Sequence, residues 1–237
     1  MKLDLNSTQH ISKRYDDELE EIRHLLIAMG EMVLGQVEDG LTSLLTLNKE
    51  LAKQVVVNDT KVNLLEMQID EACTHILATR QPAASDLRLV ICVIKTITDI
   101  ERIGDEAVKI SRNALKIINS EDDIRQFNEL KHLGDLIIKN LQQAINAYAN
   151  LDVDLALKAI QQDEMANEEF DNISRLLLTK MMENPREIKN ALRITWSARA
   201  LERIGDHGKN LCEYLVFLVE GKDVRHTSVE EIKEALS

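Results

Sequence analysis

The sequence predicts an all-α protein in which six long helices form two tandem, pseudo-symmetric three-helix bundles. Two features of the composition support this fold class: aromatic residues make up only 3% of the 237 residues, and the chain contains only 2 prolines and 8 glycines. A β-sandwich or β-barrel needs many more aromatic, β-branched and turn-forming residues. A third feature, an internal repeat, predicts that the helices form two similar halves.

Apolar residues recur at helical spacing along three segments of the first half of the chain. We predict the first helix over about 7–48 and the second over 49–79. The residues around Pro82 interrupt the pattern, and a third helix is predicted over 86–119. Ser85 precedes this helix directly, in a position suited to cap its first turn.

The second half of the chain shows the same order of segments. Its helices are predicted over 120–150, 152–184 and 185–220, with a short terminal helix over 228–236. Ser120, with Asp123 three residues later, has the pattern of a helix N-cap. Asp152 and Pro185 are placed to begin the next two helices, and Gly221 is placed to end the sixth.

The motif ERIGD occurs twice, at 101–105 and at 202–206. Two further pairs of similar segments stand 104 positions apart, 29–31 with 133–135 and 58–63 with 162–167. The ERIGD copies are 101 positions apart, so the halves differ by a single slip of three residues, as a duplication would. We therefore predict repeats over 1–119 and 120–237, related by a pseudo-twofold axis.

Each copy of the motif places two carboxylates four residues apart. Glu101 and Asp105 in the third helix stack on one face and border its apolar stripe, and so do Glu202 and Asp206 in the sixth. Like charges at this spacing repel, and a glycine inside a helix costs roughly 1 kcal/mol relative to alanine. Close helix packing would explain the glycine of each motif, and a cation held between the carboxylates would explain the acids.

The second and fifth helices supply further oxygen donors. Asp59 and Asn63 are four residues apart, as are their counterparts Asp163 and Asn167. Oxygen ligands from two neighbouring helices would suit Mg, Mn or Fe, whereas Zn more often recruits Cys or His. The predicted metal ligands are Glu101, Asp105, Glu202, Asp206, Asp59 and Asp163.

Two alternatives compete with a metal-binding regulator. In a helical adaptor without metal, the acids would form ordinary surface ion pairs, such as Asp105 with Lys109. A ferritin-like storage or oxidase bundle would use ExxH motifs, which occur at 21–24 and 129–132. Both histidines lie away from the apolar stripes, and the two motifs are 108 positions apart, outside the register of the repeat. We therefore expect surface histidines.

Charge and composition limit the other classes of function. The net charge of −12 and the pI near 5.0 disfavour nucleic acid and anionic membranes as partners. Three cysteines without CxxC spacing favour a reducing compartment, and no signal peptide or membrane span is expected, which predicts a cytosolic protein. No phosphate loop or nucleophile–base motif indicates catalysis. We expect His207 to face outward and Trp196 to be buried between the bundles.

Together with the ERIGD pair, three segments carry a resemblance to a known family: DEACTHILATRQPAASDLRLV (70–90), ALERIGDHGKN (200–210) and EGKDVRH (220–226). Along almost its whole length the chain resembles the PhoU family of bacterial phosphate-uptake regulators. The resemblance implies two similar three-helix bundles. It also implies a metal-binding E/D-x-x-x-D motif in each repeat, here at Glu101/Asp105 and Glu202/Asp206, with Fe, Mn, Zn or Mg as the possible ion.

The resemblance further implies a cytoplasmic negative regulator without catalytic activity. Such a protein connects the phosphate ABC importer, through its ATPase subunit, to the phosphate-sensing histidine kinase and keeps the kinase from activating the phosphate regulon. A homodimer or higher oligomer is expected. The grooves of an elongated bundle suit helix-in-groove binding, and a metal bridging two helices could set their splay and so tune partner binding.

Overall fold

The computed structural model describes residues 13–120, 128–225, 227 and 229–236. These residues form helices and connecting turns, without a β-strand. The helices are α1 (Lys13–Leu45), α2 (Lys49–Arg80), α3 (Ala84–Ile118), α4 (Asn128–Asn150), α5 (Val153–Glu183), α6 (Ile188–Glu220) and α7 (Val229–Leu236). None of the helices in the described ranges is long and apolar enough to cross a membrane.

Three of the predicted helix ends are confirmed by their capping contacts. Asn48 caps α2 by accepting a hydrogen bond from a backbone N–H at 3.0 Å, and Asp152 caps α5 in the same way at 2.9 Å. Gly221 ends α6 with a φ of 71°, in the left-handed region that glycine adopts without strain. The short polar side chains and the glycine therefore act where the sequence places them.

Other predicted ends are wrong or lie outside the described residues. Ser85 is not the cap of α3, because the chain turns helical one residue earlier, at Ala84, and the extended Ala83 precedes it without a side-chain cap. Pro185 begins a short 3-10 helix, after which α6 starts. The predicted start of the first helix at residue 7 lies outside the described residues, and so does Asp123 of the predicted cap of the fourth helix. Ser120 itself closes α3, since its Oγ donates to the Ile117 carbonyl oxygen at 2.7 Å.

The six long helices form two three-helix bundles, as predicted. In the first bundle α1, α2 and α3 pack on one another, and in the second α4, α5 and α6 do the same. The bundles lie side by side, joined by an extensive contact between α3 and α6 and a smaller one between α1 and α4. Contacts between Cys92 and the Tyr214 backbone, and between Asn113 and Ser197, show that α3 and α6 run antiparallel. The division at 119/120 stays a prediction.

Two glycines at equivalent repeat positions allow the close approach of α1 to α4. A Cβ atom on Gly30 would lie 3.3 Å from Cγ1 of Ile145 across the junction. A Cβ atom on its counterpart, Gly134, would overlap the side chain of Leu41. The repeat therefore places a small residue on each side of the same helix crossing.

The prediction that Trp196 lies between the two bundles is wrong. Its side chain is 54% exposed, so it is not buried between the bundles. It continues a stripe of exposed apolar side chains on α6, formed with Ile188 and Leu192 at four-residue spacing. The described residues leave these three side chains uncovered, because α3 contacts a different face of α6.

Candidate functional site

The acidic motif of the first bundle meets α2 at its glycine. A Cβ atom on Gly104 would lie 3.4 Å from Oδ1 of Asp59 and 3.2 Å from Oε1 of Gln36. The missing side chain therefore lets the Asp59 carboxylate approach α3 between Glu101 and Asp105. The predicted close helix packing at this glycine is confirmed.

The second bundle repeats the arrangement more tightly. A Cβ atom on Gly205 would lie 2.9 Å from Oδ1 of Asp163 and 2.8 Å from Cδ1 of Ile137. Asp163 is only 4% exposed, which is rare for a carboxylate. Asn167 donates a hydrogen bond to its Oδ2 atom at 3.4 Å, as the four-residue spacing on α5 permits. The packing expected at this second glycine is confirmed too.

The acids of the first bundle influence one another electrostatically. Burial, and then the charge of Asp105, raises the pKa of Asp59. Burial and the same neighbour raise the pKa of Glu101. Glu66 and Asp59 on α2 also raise the pKa of Glu101, so the structure adds Glu66 to the predicted group. Glu66 follows Asp59 by seven residues, two turns along one face of α2, and that spacing could have revealed it.

The acids of the second bundle show the same coupling with more opposing positive charge. Burial and then Asp206 raise the pKa of Asp163, while Lys209 acts in the opposite direction. Burial and then Asp206 also raise the pKa of Glu202, and Arg199 opposes them. Arg199 donates to Oε1 of Glu202 at 2.8 Å.

Differences at two pairs of equivalent positions make the two acidic groups unequal. Glu66 in the first bundle corresponds to Phe170 in the second, 104 positions later. The guanidinium of Arg199 lies over the Phe170 ring, 5.6 Å from its centroid, while it also binds Glu202. The first bundle has Thr98 at the position equivalent to Arg199. The first group thus gains a carboxylate, and the second gains an arginine.

The donor set of each group suits a hard cation. The donors are oxygen atoms, and Oε2 of Glu202 is buried without a hydrogen-bond partner among the described residues. Cys73 and Cys92 lie in the apolar core, where burial raises the pKa of both thiols to about 12. As placed in the described part of the chain, no three His, Cys, Asp or Glu side chains are grouped closely enough to hold a metal ion.

The ExxH motifs are placed as expected for surface residues. The His24 side chain is 69% exposed and lies 3.2 Å from the Glu20 carboxylate on the same helix. His132 is also exposed. The Glu129 side chain lies outside the described residues. Inward-facing histidines, which a ferritin-like site requires, are thus not provided by these motifs.

His207 was expected to face outward but lies at the α3–α6 junction, as does Glu106, its counterpart 101 positions earlier in the first repeat. His207 Nδ1 is 2.6 Å from Oδ1 of Asp99 on α3. Glu106 is only 4% exposed and binds Arg203 of α6 at 3.1 Å and Lys109 at 2.9 Å. These charged side chains lie on the face of each helix opposite its apolar stripe. That face packs against the other bundle, which supplies the side chains that bind them. Lys109 therefore binds Glu106, not Asp105 as the adaptor alternative supposed.

These features define a class of protein. It consists of two helical bundles that meet through an antiparallel pair of helices, and each bundle has an acidic motif whose glycine admits a carboxylate from the adjacent helix. The chain belongs to the PhoU family, since 26–114 and 130–215 each match the PhoU domain. It is 45% identical to a protein of Pseudomonas aeruginosa named phosphate-specific transport system accessory protein PhoU homolog, over 96% of this chain and 94% of that one. It is 41% identical to the Escherichia coli K12 protein named phosphate-specific transport system accessory protein PhoU, over 98% and 96% of the respective chains.

Solved structures support the same assignment. The crystal structure of PhoU from Pseudomonas aeruginosa superimposes with a TM-score of 0.85 at 44% identity, covering 88% of this chain and 100% of that chain. The phosphate transport system regulatory protein PhoU from Streptococcus pneumoniae gives a TM-score of 0.82 at 28% identity, covering 89% and 99%. The two-bundle architecture is therefore shared with relatives of quite different sequence.

Proposed function

We propose that this protein is a cytoplasmic negative regulator of phosphate uptake and of the phosphate regulon. It connects the phosphate ABC importer, through its ATPase subunit, to the phosphate-sensing histidine kinase, and it catalyses no reaction. The observation that carries this proposal is the 45% identity, over nearly the whole chain, to a protein named for its accessory role in phosphate-specific transport. Most of each bundle and both acidic motifs fall within the matched segments.

The regulatory part of the proposal is tested in a bacterium that lacks its own protein of this family. Expression of the full chain should lower a phosphate-regulon reporter in phosphate-rich medium and leave the reporter induced when phosphate is scarce. The same reporter in a strain that also lacks the histidine kinase serves as the control. A reporter that stays fully active in rich medium, despite normal amounts of the protein, would contradict the proposal.

Partner binding is supported by the exposed apolar stripe on α6. Ile188, Leu192 and Trp196 are exposed on the same helix that carries the second acidic motif. Exposed apolar side chains in a continuous row mark interaction surfaces more often than isolated ones do. The W196A variant should retain less of the ATPase subunit or of the kinase in co-purification. Equal recovery of both partners would exclude this stripe as their binding surface.

The protein is also proposed to form a homodimer or a higher oligomer. Sedimentation of the full chain tests this.

The acidic groups are proposed to bind divalent or ferric ions, with Asp59, Glu101 and Asp105 as ligands in one bundle and their counterparts in the other. A bound ion would neutralise carboxylates that now raise one another's pKa, and it would cross-link the two helices that supply them. Elemental analysis of untagged protein, beside a variant with alanine at 101, 105, 202 and 206, tests this. Stoichiometric metal that disappears in a still-helical variant supports binding. Equal metal content in both proteins would favour the metal-free adaptor.

A further inference from the structure

Two buried amide side chains lie behind the acidic groups, one in each bundle. Gln36 on α1 is 5% exposed and Asn140 on α4 is 8% exposed. They stand 104 positions apart, which is the spacing of the repeat. Among the described residues, neither Nε2 nor Oε1 of Gln36 has a hydrogen-bond partner, and Nδ2 of Asn140 has none. Buried amides normally make hydrogen bonds, so a repeated pair of this kind requires an explanation.

In the first bundle, the amide and the metal-site carboxylate approach the same point in space. That point is the position a Cβ atom would take on Gly104, which is 3.2 Å from Oε1 of Gln36 and 3.4 Å from Oδ1 of Asp59. Ionised carboxylates accept hydrogen bonds only, whereas an amide both donates and accepts. The amide oxygen and nitrogen are exchanged by a 180° flip, so a hydrogen bond to Asp59 requires the flipped amide, with its NH₂ group facing the carboxylate.

In the second bundle, Asn140 and Asp163 line a common cavity of about 10 Å³, together with Gly205 and Lys209. This volume is close to the minimum that one water molecule needs, and the lining supplies polar partners for it. Asn140 is one methylene shorter than its counterpart Gln36. The shorter side chain leaves a gap that a bridging water can span between the amide and the carboxylate.

We propose that Gln36 and Asn140 are positioning residues for the acidic groups. Each amide donates a hydrogen bond toward the aspartate of the adjacent helix, Gln36 directly to Asp59 and Asn140 through one water to Asp163. The bond holds one carboxylate oxygen inward, so that the other faces the acids of the ERIGD motif. The inference rests on the proposed metal binding, since outer-shell partners that orient ligands typically change metal affinity 10–100-fold. In the first bundle it also gives Gly104 a second role, which is to admit the amide of Gln36.

The experiment is a Mn²⁺ titration by calorimetry on the full chain. An E202A/D206A background isolates the first group, and an E101A/D105A background isolates the second. In the first background, Q36L should weaken Mn²⁺ binding about tenfold or more, whereas Q36N should keep most of the affinity because the shorter amide can act through a water. In the second background, N140L should weaken binding and N140Q should retain it. Thermal unfolding of each variant verifies that it is folded.

Val37→Ala is the matched control, because Val37 is fully buried on the same helix and has no polar side-chain atom. It should lower stability without changing Mn²⁺ affinity. If Q36L binds Mn²⁺ as tightly as its background does, the positioning role is wrong even though metal binding is real.

A second readout separates failure of this inference from failure of the proposed metal binding. If the unaltered protein binds no Mn²⁺ and elemental analysis finds no Fe, Zn or Mg, the metal proposal fails. The hydrogen bond can then be tested by NMR of the Gln36 side-chain NH₂ group, assigned by its loss in Q36L. Asp59→Ala should shift this resonance and speed its hydrogen exchange. An unchanged resonance would overturn the positioning role independently of any metal.

Discussion

Nδ1 of His207 lies 2.6 Å from Oδ1 of Asp99, and this contact joins α6 to α3 across the junction of the two bundles. Asn210 donates to the same oxygen at 3.2 Å, and Tyr214 also hydrogen-bonds Asp99. Burial alone would raise the pKa of Asp99, but these hydrogen bonds together hold it below its usual value. A carboxylate is therefore kept ionised inside the interface that sets how the bundles meet.

Asp99→Asn should destabilise the protein at pH 7 by about 1–3 kcal/mol, because it weakens a buried, charge-assisted hydrogen-bond network. The folded pKa lies below the unfolded value of about 3.9, so the Asp99 contribution is present above that pH and is lost as the pH falls through the folded pKa. Urea unfolding at a series of pH values measures both effects.

The difference in unfolding free energy between the unaltered protein and the Asp99→Asn variant should therefore shrink as the medium becomes acidic. Asp135→Asn, an exposed position on α4, is the matched control and should change stability little at any pH. If the stability curves of the unaltered protein and of the Asp99→Asn variant run parallel down to about pH 3, below the unfolded pKa, the proposed role of the carboxylate charge is wrong.

Glycine substitutions should separate packing from helix propensity. Gly134→Ala should destabilise the protein by about 1–3 kcal/mol, since the new Cβ atom would overlap Leu41 at the α1–α4 crossing. Gly35→Ala should stabilise it by roughly 0.5–1 kcal/mol, because nothing lies within 4 Å of the added methyl group and alanine favours the helix. Chemical denaturation of both variants measures the contrast. Equal effects would show that the crossing tolerates a side chain.

Helix class and the repeat can be predicted from the sequence because both are local properties of the chain. Apolar periodicity, and helix ends such as Asp152 and Gly221, depend on neighbours within a few residues. The start of α3 could not be predicted to the residue, because the helix begins at Ala84 with a φ of 48°, in the left-handed region that alanine rarely adopts. The close packing at Gly104 and Gly205 could be predicted for the same reason, and i,i+4 spacing fixes a common helix face for the acids of each motif.

The faces that meet the other bundle could not be predicted in this way. Periodicity reveals one apolar stripe, but a helix at a junction buries a second face, and on α3 and α6 that face is charged. Periodicity alone places Glu106 and His207 at the surface, because the side chains that bind them belong to the other bundle. Trp196 read as buried because large aromatic residues usually are. Gln36 gave no signal in one sequence, because an isolated amide on an amphipathic helix is ordinary.

Asp163→Asn should stabilise the metal-free protein at pH 7 by on the order of 1 kcal/mol. The folded pKa of Asp163 is raised, chiefly by burial and then by Asp206, so the folded state binds the proton more tightly than the unfolded state. Stability therefore falls as the pH rises from the unfolded pKa through the folded one, and an uncharged amide removes this loss. Thermal unfolding in chelator, from about pH 4 to pH 8, spans this range and measures the effect.

The matched control is Asp171→Asn, which makes the same chemical change at an exposed position of α5. It should leave the pH dependence unaltered. Excess Mn²⁺ should reverse the order of stability, since an ion that binds only the folded protein at about 100 times its Kd stabilises it by about 2.7 kcal/mol. A variant at Asp163 that is less stable than the unaltered protein in chelator would contradict the predicted charge repulsion.

The two acidic groups should bind metal with unequal affinity. The first bundle places Glu66 beside the motif acids, whereas the second places Arg199 on Glu202, and the number of ligand charges sets the affinity of oxygen sites for cations. Arg199→Met should therefore strengthen Mn²⁺ binding at the second group several-fold, and Glu66→Gln should weaken it at the first. Calorimetry on the two backgrounds with one group removed measures each site.

Arg175→Met, at another position on the second bundle, controls for a change in overall charge. If the two groups bind Mn²⁺ equally and neither substitution changes this, then local charge at 66 and 199 does not govern binding.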